Sequence, residues 1–67
     1  MTPRRLSTVL RTLREQKGLT QEHVAKRAGV TKPYLSQLES GKRKNPSLPV
    51  LKRLAKALGV PVTALLE

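Results

Sequence analysis

Apolar residues recur at intervals of three and four along most of the chain, and a glycine follows each run. In the first run, Leu6, Val9, Leu10 and Leu13 share one face, because residues with this spacing meet on the same side of a helix. The three later runs repeat the spacing. The pattern therefore predicts four helices, over about residues 3–17, 21–28, 32–40 and 48–58.

The residues that flank these runs are typical of helix ends. Hydroxyl side chains that can cap a helix stand before the four runs: Thr2, Thr20, Thr31 and Ser47. Glycines able to adopt the left-handed conformation follow them: Gly18, Gly29, Gly41 and Gly59. Residues 61–66 suit one or two further turns, and no run alternates with the period of a strand. We predict an all-α fold, a compact bundle of four to five helices in a single domain spanning residues 1–67.

Charge narrows the classes of partner. The chain has 67 residues, no cysteine, and 14 Lys and Arg against four acids, for a net charge of +10. An excess of this size favours a polyanion, with nucleic acid first and an anionic membrane surface second. No secretory signal and no run long enough to span a bilayer is present, so we expect a cytoplasmic protein.

The third predicted helix has two contrasting faces. Its polar residues fall within an arc of about 140° on a helical wheel: Lys32, Pro33, Ser36, Gln37 and Ser40. Leu35 and Leu38 point the other way. The Gln37 amide suits the donor and acceptor edge of adenine, and Lys32 suits the acceptors of guanine. A solvated surface helix would show the same face, so the neighbouring segments decide between the two interpretations.

Those segments favour DNA binding. A helix and a short glycine turn, TQEHVAKRAGVTK, precede the face, and a basic loop, GKRKNP, follows it. Two helices joined by such a turn, here about residues 20–40, form the unit whose second helix reads the major groove. Runs of charge are usually solvated loops, but the position of Lys42, Arg43 and Lys44 directly after this helix favours contact with phosphates.

The stretch GLTQEHVAKRAGVTKPYLSQLESGKRKNPSLPVLKRLAKALGV resembles the helix-turn-helix domain of the Cro and phage-repressor (XRE-type) family, which includes restriction-modification controller proteins. The resemblance implies a lambda-repressor-like DNA-binding domain. It implies contacts with bases or adjacent phosphates for Thr31, Lys32, Pro33, Ser36 and Gln37. It implies contacts with the DNA backbone for Gln21, Ser40, Lys42, Arg43, Lys44 and Asn45.

Three further residues have roles that the resemblance suggests or leaves open. Arg14 and Glu39 match a buried ion pair of the family, and the wheel position of Glu39 agrees, although an exposed glutamate is the alternative. Tyr34 lies between the two faces, so it either packs beneath the basic loop or offers its hydroxyl to the DNA backbone. Pro33 departs from the family pattern, since proline offers a base only an apolar contact.

Catalysis and metal binding find no support in the sequence. There is no cysteine nucleophile, no aspartate and no carboxylate at ligand spacing from His23, the single histidine. We therefore expect a protein that is not an enzyme and needs no cofactor.

The expected function is sequence-specific regulation of transcription, most simply repression, by a homodimer on a palindromic operator in double-stranded DNA. Residues 60–67 are the expected dimer contact, through Val60, Val62, Leu65 and Leu66, unless these side chains instead close the core. An antitoxin-type subunit that mainly binds an unidentified protein partner is the alternative. A cationic membrane peptide fits less well, because regular glycine stops and a Leu/Ala interior indicate a folded domain.

Overall fold

Hydroxyl caps determine where three of the helices begin. The computed structural model describes residues 6–66, which form α1 (Leu6–Gln16), α2 (Gln21–Ala28), α3 (Lys32–Ser40), α4 (Leu48–Leu58) and α5 (Thr63–Leu66). The hydroxyl oxygens of Thr20, Thr31 and Ser47 each accept a hydrogen bond from the backbone N–H three residues later, at 3.1, 3.1 and 3.4 Å. Each bond satisfies an N–H group that the first turn of the helix leaves free.

The bounds of α2, α3 and α4 are those predicted from the sequence, and the all-α fold class is confirmed. The first helix ends at Gln16, one residue earlier than predicted, and α5 begins at Thr63, two residues after Pro61. The expected start of the first helix at residues 2–5, including the Thr2 cap, lies outside the described residues.

Gly29 makes the tight turn between α2 and α3. Its φ of 72° lies in the left-handed region, and no atom lies within 4 Å of the position that a Cβ would occupy. Glycine is therefore favoured here by backbone conformation rather than by space. The next residue, Val30, donates its N–H to the carbonyl of Ala25 at 2.9 Å and packs against the core. This turn joins α2 and α3 as a helix-turn-helix unit.

Aliphatic side chains from every helix build one core. Five side chains are almost completely buried: Leu10, Val24, Leu35, Leu38 and Leu54. Helix α2 packs mainly on α4, and α1 packs mainly on α3. Alanines at positions 25, 28, 55 and 57 are buried in α2 and α4, and their small size lets these two helices approach closely.

Two leucines lie differently from the sequence expectation. The spacing in the fourth predicted run puts Leu48 on the apolar side of the helix with Leu51 and Leu54, but Leu48 is 50% exposed. On a wheel Leu48 and Ala57 lie about 90° from the centre of the buried residues of α4, on opposite sides. Only Ala57 is covered, so the packing of neighbouring helices, and not the wheel angle, decides which edge of α4 is buried. Leu65 was one of the expected dimer contacts, with closure of the core as the alternative. It is only 4% exposed, because α5 folds back against α1 and α4, so for Leu65 the alternative holds.

Core truncation should be far more costly than truncation of an exposed leucine. We expect Leu54→Ala to lower the free energy of unfolding by about 2–5 kcal/mol, because it removes packed methyl groups and leaves a cavity. Leu48→Ala is the matched control and should cost about 1 kcal/mol or less, since half of that side chain already meets water. Urea titrations followed by circular dichroism measure both, and equal shifts in the midpoint would contradict the assigned core.

Candidate nucleic-acid interface

Helix α3 is held from behind by buried side chains, and its other face is open. Leu35 and Leu38 are 0% exposed, and Glu39 beside them is also buried. The opposite face carries the polar residues predicted from the helical wheel. Four of them are exposed, namely Lys32, Pro33, Ser36 and Ser40, whereas Gln37 is half-buried. The hydroxyl of the exposed Thr31 caps the helix at the same end.

The predicted Arg14–Glu39 ion pair is present and links α1 to α3. Arg14 Nε donates to Glu39 Oε2 at 2.8 Å, and Nη2 donates to Oε1 at 3.1 Å. The side chains are 14% and 3% exposed, so the pair is largely shielded from water. A bidentate arginine–carboxylate contact fixes orientation as well as distance. The pair therefore holds α3 at a defined angle to α1.

Two further contacts complete this buried cluster. Arg14 Nη1 donates to the carbonyl oxygen of Leu19 at 2.7 Å, at the approach to α2. Gln21 Nε2, in the first turn of α2, donates to Glu39 Oε1 at 3.0 Å. Glu39 thus accepts hydrogen bonds from two other helices, and its charge is compensated inside the protein.

The ion pair also affects the titration of Arg14. The hydrogen bond to Glu39 raises the pKa of the Arg14 guanidinium, and this outweighs the opposing effect of burial. Because the pKa of Arg14 is higher in the folded than in the unfolded state, its charge stabilises the fold at every pH below the unfolded-state pKa. This stabilisation is lost only as pH rises through the folded-state pKa. Arg14 therefore stays charged throughout the acid and neutral ranges.

Gln21 has a partner inside the protein that the sequence did not suggest. The family resemblance assigned it a phosphate contact, but its amide nitrogen is directed to Glu39 in the protein alone. It also lines a shallow cleft with Thr20 and Lys32, between the start of α2 and the start of α3. Contact between Gln21 and a phosphate remains a prediction.

The basic loop after α3 turns back toward the helix. Gly41 ends α3 with a φ of 86°. Arg43 then donates its backbone N–H to the carbonyl of Gln37 at 3.1 Å, and its Nε donates to Gln37 Oε1 at 2.9 Å. The Arg43 guanidinium carbon lies 5.1 Å from the centre of the Tyr34 ring, within the range of a cation–π contact. Of the two interpretations of Tyr34, the contact agrees with packing beneath the loop.

The other predicted backbone contacts surround the end of α3. Lys42, Lys44 and Asn45 are exposed, and the Ser40 hydroxyl donates to the carbonyl of Gln37 at 3.1 Å. Ser40, Arg43 and Lys44 line one side of a cleft whose other side includes Ser7 of α1. Two serine hydroxyls and the exposed Lys44 therefore lie around this cleft, which has the chemistry of a phosphate site, while Arg43 on its border is bonded to Gln37.

Ser7 is the residue of this cleft that the sequence did not suggest. A Cβ at Gly41 would lie 3.8 Å from Ser7 Oγ, which shows how closely the loop approaches α1. No spacing rule relates two positions so far apart along the chain. Only the packing of α1 on α3 brings them together.

The C-terminal apolar residues are not equally available to a partner. Leu65 is buried in the core, so it cannot contribute to a dimer surface in the folded domain. Val60 and Val62 are half-buried and pack against the same core. Leu66 is 53% exposed. The predicted dimer contact is therefore reduced to Leu66 and the accessible parts of the two valines.

None of the helices in residues 6–66 combines the length and hydropathy needed to cross a bilayer. Within the same residues, His23 is exposed on α2.

Comparison with known proteins identifies the same unit. The sequence profile of the family described as Helix-turn-helix matches residues 10–65. Over 48 residues the chain is 56% identical to an uncharacterized HTH-type transcriptional regulator, y4dJ, of Sinorhizobium fredii, covering 72% of this chain and 61% of y4dJ. The chain therefore spans about three fifths of the length of this relative.

Two solved structures are also similar. The restriction-modification controller protein C.AhdI of Aeromonas hydrophila superposes with a TM-score of 0.85 at 38% identity, over 90% of this chain and 89% of C.AhdI. The master regulator of biofilm formation SinR of Bacillus subtilis, solved in complex with DNA, superposes with a TM-score of 0.88 at 34% identity, over 92% of this chain and 98% of that chain. The resemblance predicted from the sequence is thereby confirmed.

Removing one partner of the buried ion pair should destabilise the fold more than replacing both partners by apolar residues. We expect Glu39→Ala to lower the free energy of unfolding by about 3 kcal/mol, near the lower end for a broken buried pair, because Arg14 keeps some contact with water. The double variant Arg14→Met, Glu39→Leu should be less destabilised than Glu39→Ala alone, since no unpaired charge remains. Urea unfolding of the two variants measures the difference. Greater destabilisation of the double variant would show that the pair itself is strongly stabilising.

Proposed function

Because the chain belongs to the helix-turn-helix family, we propose that it is a sequence-specific DNA-binding regulator of transcription that inserts α3 into the major groove. We infer a binding protein rather than an enzyme. The main support is the geometry of α3, whose buried Leu35 and Leu38 leave Lys32, Ser36 and Gln37 on the opposite side. A rigid helix with such a face can present donors and acceptors to base edges.

The charges around α3 support the same role. Lys42 and Lys44 are exposed beyond its C-terminal end, and Lys32 is exposed at its N-terminal end. The negative charge of Glu39 does not reduce the positive charge of this surface, because Glu39 is buried and paired with Arg14. Cations on both sides of a polar face fit a groove bordered by two phosphate strands. In this arrangement the loop contributes affinity and the helix face contributes specificity.

The functional assembly that we propose is a homodimer that represses transcription from a palindromic operator. A single module of this kind covers only about 600–1,000 Å² of DNA-facing surface, which is little for tight selective binding. Two copies related by a two-fold axis would read half-sites about 10 base pairs apart. Leu66 supports a C-terminal contact, because it is a large apolar side chain that remains 53% exposed in the monomer.

Substitutions in the helix face and in the loop should affect binding differently. Gln37→Ala should weaken binding to the preferred site by about 1–3 kcal/mol relative to other sequences, because it removes a base contact. Lys44→Ala should weaken binding to all duplexes alike and reduce the slope of log affinity against log salt by about one unit. Titrations of selected and scrambled duplexes at several salt concentrations measure both effects. Equal losses for both variants on both duplexes would contradict the division of roles.

The proposed dimer contact can be tested with two leucines of similar exposure. Leu66→Glu should yield a monomer in sedimentation experiments and weaken binding to a two-half-site duplex by on the order of 100-fold, because the two half-sites are then bound independently. Leu48→Glu, at a side chain that is 50% exposed, is the matched control and should leave the dimer intact. Dissociation by Leu48→Glu alone would place the contact at the start of α4. A wild-type protein that stays monomeric on its operator would contradict the dimer.

A further inference from the structure

Arg43 is bound to the exposed face of α3 at three points, although it belongs to the loop. Its backbone N–H and its Nε both donate to Gln37, at 3.1 Å to the main-chain carbonyl and 2.9 Å to Oε1. Its guanidinium also lies over the Tyr34 ring at 5.1 Å. Lys42 and Lys44, the cations on either side, make no hydrogen bond or ion pair with residues 6–66. Arg43 is therefore part of the surface of α3, whereas its neighbours are free to contact phosphates.

This contact determines which groups of Gln37 remain available. A guanidinium has only donors, so the Gln37 group that faces Arg43 is the amide oxygen. The amide nitrogen has no hydrogen-bond partner within residues 6–66. An amide whose oxygen accepts from a cation becomes a better donor at its nitrogen. The accessible groups are thus the Gln37 amide N–H groups and the remaining N–H groups of Arg43.

We propose that Gln37 and Arg43 act as one donor unit that selects guanine at the base pair facing the C-terminal half of α3. The inference rests on the proposed function, since it assigns a base to the same helix face. Guanine presents two acceptors, O6 and N7, in the major groove, which match two donors. Adenine presents a donor at N6 that would meet the positive charge of Arg43. The pair therefore reverses the adenine preference that an isolated glutamine at position 37 suggests.

Tyr34 is the positioning residue of this unit. It is half-buried and packs against the core, so its ring is a fixed surface for the guanidinium. A guanidinium held on a ring loses less freedom when it binds a base than one on a mobile side chain. The ring provides this contact without its hydroxyl. Tyr34→Phe should therefore keep the base preference of the wild-type protein, and Tyr34→Ala should reduce it.

The contact itself can be tested without DNA. The side-chain amide resonances of Gln37 in a ¹H–¹⁵N spectrum of the free protein should shift in Arg43→Ala and in Tyr34→Ala. They should stay in place in Lys44→Ala, which removes the same charge from the next position. An unchanged Gln37 amide in Arg43→Ala would overturn the donor unit.

Base preference is measured by selection from a randomised duplex pool. Comparing the sites selected by the wild-type protein and by Gln37→Ala identifies the base pair that Gln37 reads. At that base pair the wild-type protein should prefer guanine to adenine by roughly 5- to 150-fold, the range of one good bidentate contact. Arg43→Ala should lose this selectivity at the same base pair, and the double variant with Gln37→Ala should lose no more. Lys44→Ala should keep it while binding every duplex more weakly. Replacing the selected guanine by 7-deazaguanine, which lacks the N7 acceptor, should weaken binding of the wild-type protein. The same replacement should weaken binding of Arg43→Ala less.

The outcomes separate this inference from the function on which it rests. A wild-type protein that enriches no duplex would overturn the DNA-reading function and the donor unit together. A wild-type protein that enriches a site, but with adenine at the base pair read by Gln37, would overturn the donor unit alone. Retention of the guanine preference in Arg43→Ala would do the same.

Discussion

The orientation of α3 depends on the hydrogen bonds that the buried carboxylate of Glu39 accepts. A charge in the interior needs partners, and the nearest donors come from Arg14 on α1 and Gln21 at the start of α2. One side chain thus connects three helices at the level of the helix-turn-helix unit. The leucines of α3 bury its apolar side and restrict its crossing angle by interdigitating with neighbouring helices. The hydrogen bonds to Glu39 add directional contacts to that packing.

This arrangement separates two uses of charge. Glu39 and Arg14 compensate each other inside the protein, so Glu39 does not offset Lys32 or the cations of the loop after α3. The cations of the loop after α3 also have two different settings. Gly41 reverses the chain, so Arg43 contacts α3, while Lys42 and Lys44 remain in solvent. Arg43 consequently belongs to the surface proposed to read bases, whereas its neighbours belong to the surface proposed to bind phosphates. Residues adjacent in sequence therefore serve different parts of the interface.

Much of the fold and part of the site could be predicted from local patterns. The hydroxyl caps at Thr20, Thr31 and Ser47 and the spacing of leucines gave correct starts for three helices, because capping and periodicity depend on residues within one or two turns. The exposed face of α3 followed from the same periodicity. Leu65 could not be placed in this way, since its burial depends on how α5 folds back onto α1 and α4.

The sequence by itself determined the helices, the short turn between α2 and α3, the excess positive charge and, through resemblance, the Arg14–Glu39 pair. Only the tertiary structure decided that Gln21 joins this pair, that Ser7 lies beside the basic loop, and that Arg43 occupies the amide oxygen of Gln37. The physical reason is the distance along the chain between the residues that interact. Helix caps and faces depend on neighbours along the chain, whereas these contacts depend on the packing angles of whole helices and on the reversal at Gly41.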